Sequence, residues 1–264
     1  MSRWTAARLT IVAMLLFGGL VVVATPARGS TPHHVYLPVV QYASTPAGCQ
    51  AISGQSYGSL SVNPPPSNPP AAVNPDINLQ IRGWASTSAT LGLVTYNGVP
   101  DSNAPQLSGL FASRQLPVFD AAYQVYDWDW STNTRGGLIT TWPVTLLGMQ
   151  TQPGEEIDAP PSGYDLGQGY RALVLYATQD QITLKYTRDD NVVYGYTIHV
   201  ENVCVEPSLL ALYQQLDSEG RANLPALFGD QPFGRANGTE IDVAIRDSGS
   251  FMDPRSQRDW WQGF

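Results

Sequence analysis

A chain of 264 residues with 22 acidic and 14 basic side chains carries a formal charge of −8, and Lys185 is its only lysine. The arginines are scattered rather than gathered into a stripe, so the chain is not expected to bind nucleic acid or an anionic bilayer surface. Its length and 43% apolar content suffice for a real hydrophobic core.

Residues 1–27 read as a secretion signal. Arg3 and Arg8 precede an uncharged apolar run over residues 9–24, and Thr25-Pro26-Ala27 supplies small residues at a cleavage point. The run is shorter than the roughly 20 residues a spanning helix needs, so membrane contact is expected only through an uncleaved anchor. The expected localisation is secreted, or extracytoplasmic in the cell envelope. In that oxidising setting Cys49 and Cys204, both in the exported part, are expected to form a disulfide. Closing so long a loop is worth about 4–5 kcal/mol in the chain-entropy account.

Residues 28–75 read as a tether and proline-rich linker. Its first part surrounds Val35-Tyr36-Leu37-Pro38-Val39-Val40, and the adjacent His33 and His34 have no further ligands nearby to make a metal site. Residues 63–75, NPPPSNPPAAVNP, read as extended polyproline, because proline fixes φ and removes donors.

An N-terminal β region is expected over residues 76–140. Residues 79–84 and 91–96 read as strands, and Asn97-Gly98 as a turn. Residues 119–130, FDAAYQVYDWDW, end in the most unusual local signal. On a strand, Asp127 and Asp129 share one face and Trp128 and Trp130 the other. The carboxylates could hold a hard cation, or the indoles could stack on a sugar ring. The bland alternative puts the tryptophans in the core and the acids in water. Two alternating aspartates do not make the six to eight oxygens of a calcium site, so no calcium is assigned.

Residues 141–264 form the second expected domain. Short strands are read at 144–149, 156–159, 170–177 and 240–246, with one helix over 209–216, capped by Ser208 and stopped by Gly220. Residues 181–201, QITLKYTRDDNVVYGYTIHVE, organise the rest. Ile182, Leu184 and Tyr186, then Tyr196, Ile198 and Val200, alternate with polar residues, which is the pattern of a half-buried antiparallel hairpin. Lys185, His199 and Glu201 lie on its polar face and are expected to meet water. Glu240 and Asp242 share another strand face; such a pair can do acid–base work if its environment splits the two pKa values, and is otherwise simply solvated. The terminal Trp260-Trp261 is expected to dock on the domain. The fold class is mainly β: an antiparallel sheet or sandwich-like domain with one short helix, preceded by a signal peptide and a proline-rich linker.

The order of pieces after Val144 resembles the lysostaphin/LytM-type zinc peptidases of bacterial cell walls. VTLLGMQTQPGEEIDAPPSG, residues 144–163, is similar to that family's first block, with its His and Asp four apart, Pro-Gly turn and Ala-Pro-x-x-Gly end. Residues 195–202 resemble its glycine-led strand, Leu212-Tyr213-Gln214-Gln215-Leu216 its Leu-Tyr-Ala-His-Leu segment, and 229–234 the turn before its last strands. Residues 238–246, followed by Gly249 and Asp253-Pro254, are similar to its closing His-x-His strand.

The resemblance implies zinc, yet its three ligand positions fall on Val144, Gly148 and Asp242, and its two assisting histidines on Gln215 and Glu240. One carboxylate stands where three ligands are needed, so no metal and no cofactor are assigned. What is implied is a catalytically inactive relative: a binding or scaffolding module that holds peptidoglycan, glycan or an envelope protein. The candidate binding residues are Asp127, Trp128, Asp129, Trp130, Gln215, Glu240 and Asp242. The alternatives are a peptidoglycan or glycan hydrolase using Glu240 and Asp242, and a carbohydrate-binding β-sandwich resting on the tryptophans.

Overall fold

The structure, a computed structural model, describes residues 49–264; the expected signal peptide and the tether up to residue 48 lie outside them. Its strands are β1 (Gly58–Ser61), β2 (Trp84–Ser86), β3 (Phe119–Asp129), β4 (Thr134–Leu138) and β5 (Leu146–Gln150). They continue as β6 (Glu156–Asp158), β7 (Ala172–Ala177), β8 (Gln181–Lys185), β9 (Tyr196–Glu201) and β10 (Val203–Val205). The last are β11 (Asn223–Leu227), β12 (Pro232–Ala236), β13 (Glu240–Asp247) and β14 (Ser250–Phe251). Three α-helices, α1 (Leu79–Arg82), α2 (Pro207–Ser218) and α3 (Gln257–Trp260), interrupt them. The protein is mainly β and its strands pair antiparallel.

The large sheet runs β1-β11-β7-β8-β9-β13-β5-β3-β2, with β4 paired to β3 and β14 to β13. A smaller sheet runs β10-β12-β6. The hairpin β8–β9 sits mid-sheet, in register from Gln181 opposite Glu201 to Lys185 opposite Thr197. Its apolar face, Ile182, Leu184, Ile198 and Val200, is fully buried in the main core with Leu147, Val243 and Phe233. Each such side chain contributes about 1.5–3 kcal/mol through area removed from water. The terminal indoles Trp260 and Trp261 dock as expected, their N–H groups donating to the carbonyls of Asp253 and Pro254 at 2.9 and 2.8 Å. β2 and β3 continue directly into β5 and β13, so residues on either side of position 140 share one sheet.

The other hairpin face is not solvated. Thr183, Lys185, Thr197, His199 and Glu201 are all buried. Polypeptide covers them: the Thr183 hydroxyl donates to the Ile77 carbonyl at 2.7 Å, and Gln80 donates to Glu201 at 2.9 Å. Phe251 of β14 stacks near the His199 ring, 6.3 Å between centroids. Period-two alternation sorts side chains between two faces without saying whether water or chain lies against each.

The cover comes from segments read differently in the sequence. Residues 63–75 are no free linker. The Asn63 N–H donates to the Arg188 carbonyl at 2.8 Å, the Ser67 N–H donates to the Asp190 carboxylate at 2.9 Å, and Ala71 is buried. Residues 79–82 form the single turn α1 rather than a strand; Leu79 and Arg82, three apart, are its buried pair, and Gly83 ends it at φ 64°. Residues 91–96 hold only a bridge from Val94 to Ser256. The expected helix is α2, but its N-cap is Glu206, whose carboxylate accepts from the N–H groups of Ser208 and Leu209.

The disulfide Cys49–Cys204 is present, with Cα atoms 5.3 Å apart, and ties the start of the described chain to β10. Its geometry lies within the ordinary range of Cα separations.

Candidate functional site

Strand register sets the buried polar side chains in rows across the sheet. Gln181, Glu201, Asp242 and Gly148 lie side by side on β8, β9, β13 and β5. The next row is Thr183, His199 and Ala244, and the third is Lys185, Thr197 and Arg246. Acid therefore gathers at one end of the face and cation at the other, with one imidazole between.

At the cationic end Lys185 donates to the Tyr194 carbonyl and to the Thr197 hydroxyl. Burial brings its pKa down to about 7. Arg246 and Arg82 share the Asp76 carboxylate at 2.9 and 2.7 Å. His199 Nδ1 meets the Thr183 hydroxyl at 3.1 Å. That hydroxyl has already given its proton to the Ile77 carbonyl. Nδ1 therefore carries the imidazole hydrogen, and the buried Nε2 is an acceptor with no partner. Burial, reinforced by Arg246, Arg82 and Lys185, holds the His199 pKa well below 6.5, so the ring is neutral.

At the acidic end burial dominates. It pushes Glu201 up to about 8, against the Gln80 hydrogen bond that lowers it and with Asp180 and Asp242 adding to the rise. Asp242 is pushed up to about 7 by burial and then by the Glu240 carboxylate. Asn202 donates to Asp242 Oδ2 at 2.7 Å, while Oδ1 is buried without a partner. The Tyr123 hydroxyl donates to Glu240 at 3.2 Å, and burial raises that phenol to about 12. Glu240 and Tyr123 are only partly buried, so this end of the row meets solvent. The cluster can hold one proton between two carboxyl groups and offer a phenol beside them.

Glycine at position 148 follows from this packing. A Cβ there would stand 2.6 Å from Glu240 Oε2 and 3.0 Å from the Ala121 Cβ. The Glu240 carboxyl thus occupies the volume that a side chain on residue 148 would need. Val144, the other first-block position, is buried in the main core. Zinc does not fit these residues: Val144 and Gly148 have no side-chain donor atom, and Asp242 alone is one ligand where three are needed. Among the described residues no three His, Cys, Asp or Glu side chains are grouped to hold a metal.

The remaining candidates lie elsewhere. Gln215 is on the exposed side of α2, donating to Glu219 at 2.9 Å. That helix packs on β7 and β11, away from β13. Asp127 pairs with Arg82 at 3.3 Å. Asp129 folds back to accept from the N–H and hydroxyl of Ser131 at 2.8 and 2.6 Å. The two aspartates therefore do not converge. Neither indole is core: Trp128 donates to Asn133 at 3.3 Å, and Trp130, 50% exposed, lines a pocket. Sequence reading passed over Tyr123 and left Glu201 among solvated residues. The available signal for Glu201 was its place on one face with His199 and the chain's only lysine, a costly set to leave unpaired.

No family model, curated protein or solved structure matches the chain.

Proposed function

We propose that the protein is an exported binding or scaffolding module of the cell envelope, related to the cell-wall zinc peptidases and without their chemistry. One observation carries this reading: the Glu240 carboxyl fills the space beside Gly148, where the resemblance places a metal-binding carboxylate. Of the three positions that would hold zinc only Asp242 has a donor, and the single imidazole nearby is sealed under Phe251. What stays open is a surface of Glu240 and Tyr123 backed by Asp242, whose carboxyl pKa burial raises to about 7, able to donate and accept hydrogen bonds to the hydroxyls, amides and amines of wall polymers. The disulfide, and the lack of a membrane-spanning helix among the described residues, are compatible with an extracytoplasmic setting. The test is retention on insoluble peptidoglycan together with metal analysis of the purified protein. The expected outcome is protein in the pellet, no soluble fragments released and no stoichiometric zinc. Stoichiometric zinc with fragment release would overturn the proposal.

A second reading rests on the Asp242 pKa of about 7 beside Glu240. A carboxyl raised in this way, with a second carboxyl group beside it, can act in general acid–base catalysis on a glycosidic or peptide bond. Its signature would be slow wall hydrolysis without metal, lost in Asp242→Asn while wall retention persists.

A further inference from the structure

Away from the acidic row, a pocket of about 240 Å³ opens where the proline-rich segment meets the loop between β8 and β9. Trp130, Asn68, Asn191, Asp76, Asp190 and Val193 are among its lining residues. We propose that this pocket is a saccharide-binding site that seats a single sugar ring against the Trp130 indole. The inference goes beyond the envelope-binding reading, since it assigns a ligand class to a different part of the molecule.

Four features converge on that ligand. The pocket is smaller than the roughly 300 Å³ at which drug-sized sites begin, so it suits one ring. Two of its residues are large apolar side chains left in water, Trp130 at 50% and Val193 at 55% exposure, in a fold that buries Trp260 and Trp261. An exposed indole offers a flat apolar plate at low entropic cost, matching the C–H face of a pyranose. Free donors stand beside it. Asn191 uses only its Oδ1, accepting from the Val193 N–H at 2.9 Å, and the Asn68 side chain makes no hydrogen bond among the described residues. Two amide NH₂ groups are thereby available for hydroxyls.

The charge balance points to a neutral ligand. Asp76 is paired with Arg82 and Arg246, and Asp190 with Arg221 at 2.7 Å. No carboxylate in the pocket is left to attract a cation, and the partly exposed Asp76 retains lone pairs for a hydroxyl. A polyhydroxylated ring with one apolar face is the chemistry that uses the indole, the amides and the neutralised carboxylate together.

Isothermal titration of the protein with N-acetylglucosamine, glucose and galactose tests the assignment. At least one sugar is expected to bind saturably in the millimolar range, as befits so small a ligand. Trp130→Ala should weaken it at least about tenfold. Asn68→Ala, at an exposed amide that supports nothing in the fold, should weaken it several-fold. Trp128→Ala, outside the pocket, should leave it unchanged. Absence of saturation by all three sugars, or wild-type affinity in both Trp130→Ala and Asn68→Ala, would overturn the assignment. Wall retention through the acidic row is measured separately and can survive that result.

Discussion

Glu201 and Asp242 face each other across β9 and β13, and burial makes both prefer the proton. Glu201 rises from 4.5 to about 8 and Asp242 from 3.8 to about 7. Between the ordinary and the raised value the folded chain binds a proton that the unfolded chain has released. The associated stability is complete below the ordinary value and is lost as pH rises through the raised one. His199 acts in the opposite sense. Its pKa is lowered, so its contribution is complete above about 6.5 and is lost as pH falls. Glu201→Gln isolates the carboxyl part. The melting temperature of the variant should gain on that of the wild type by several degrees between about pH 5 and pH 8, at about 2–4 °C per kcal/mol. Thermal unfolding followed by circular dichroism at the two pH values decides it; a constant difference would mean that Glu201 does not hold its proton.

The loop that joins β8 to β9 is an anchor for the segment that covers the hairpin. Asp190, fully buried there, accepts from Arg221 at 2.7 and 2.8 Å and from the Ser67 N–H at 2.9 Å. Asp190→Ala leaves the Arg221 guanidinium buried without its main partner and releases the proline-rich segment. The expected loss is about 3–5 kcal/mol, read from the urea midpoint, with faster proteolysis within residues 63–75. Leu184→Ala, in the apolar face of the same hairpin, should cost about 2–5 kcal/mol without exposing that segment. The hairpin, β13, β7 and α2 were legible in the sequence because long alternating or capped runs leave a strong periodic mark. β1, β10, β11, β12 and β14 were not. They span five residues or fewer, and Pro225 inside β11 and Pro232 opening β12 mimic a turn. The acidic row was half legible: same-face spacing found Glu240 and Asp242, but Glu201 and Tyr123 join them only through register between strands far apart in sequence. The Trp130 pocket was signalled by the indole alone, since Asn68 comes from a stretch that reads as a linker and Asn191 from a hairpin loop.

Taken together, residues 49–264 are one compact unit, and the disulfide spans 155 positions of it. Replacing Cys49 with Ser should lower unfolding stability by about 4–5 kcal/mol, measured by chemical denaturation, while leaving the β content unchanged. The outer pairings of the large sheet have a further consequence. The path ends in β1 and β2, only four and three residues long, and β4 carries Arg135 and two adjacent glycines. Such borders give a neighbouring molecule almost no backbone ladder to extend, which guards the protein against runaway fibre growth where its copies crowd together. Any lasting partnership must therefore be made through side chains, and its choice of partner can be rewritten by point substitution without touching the scaffold.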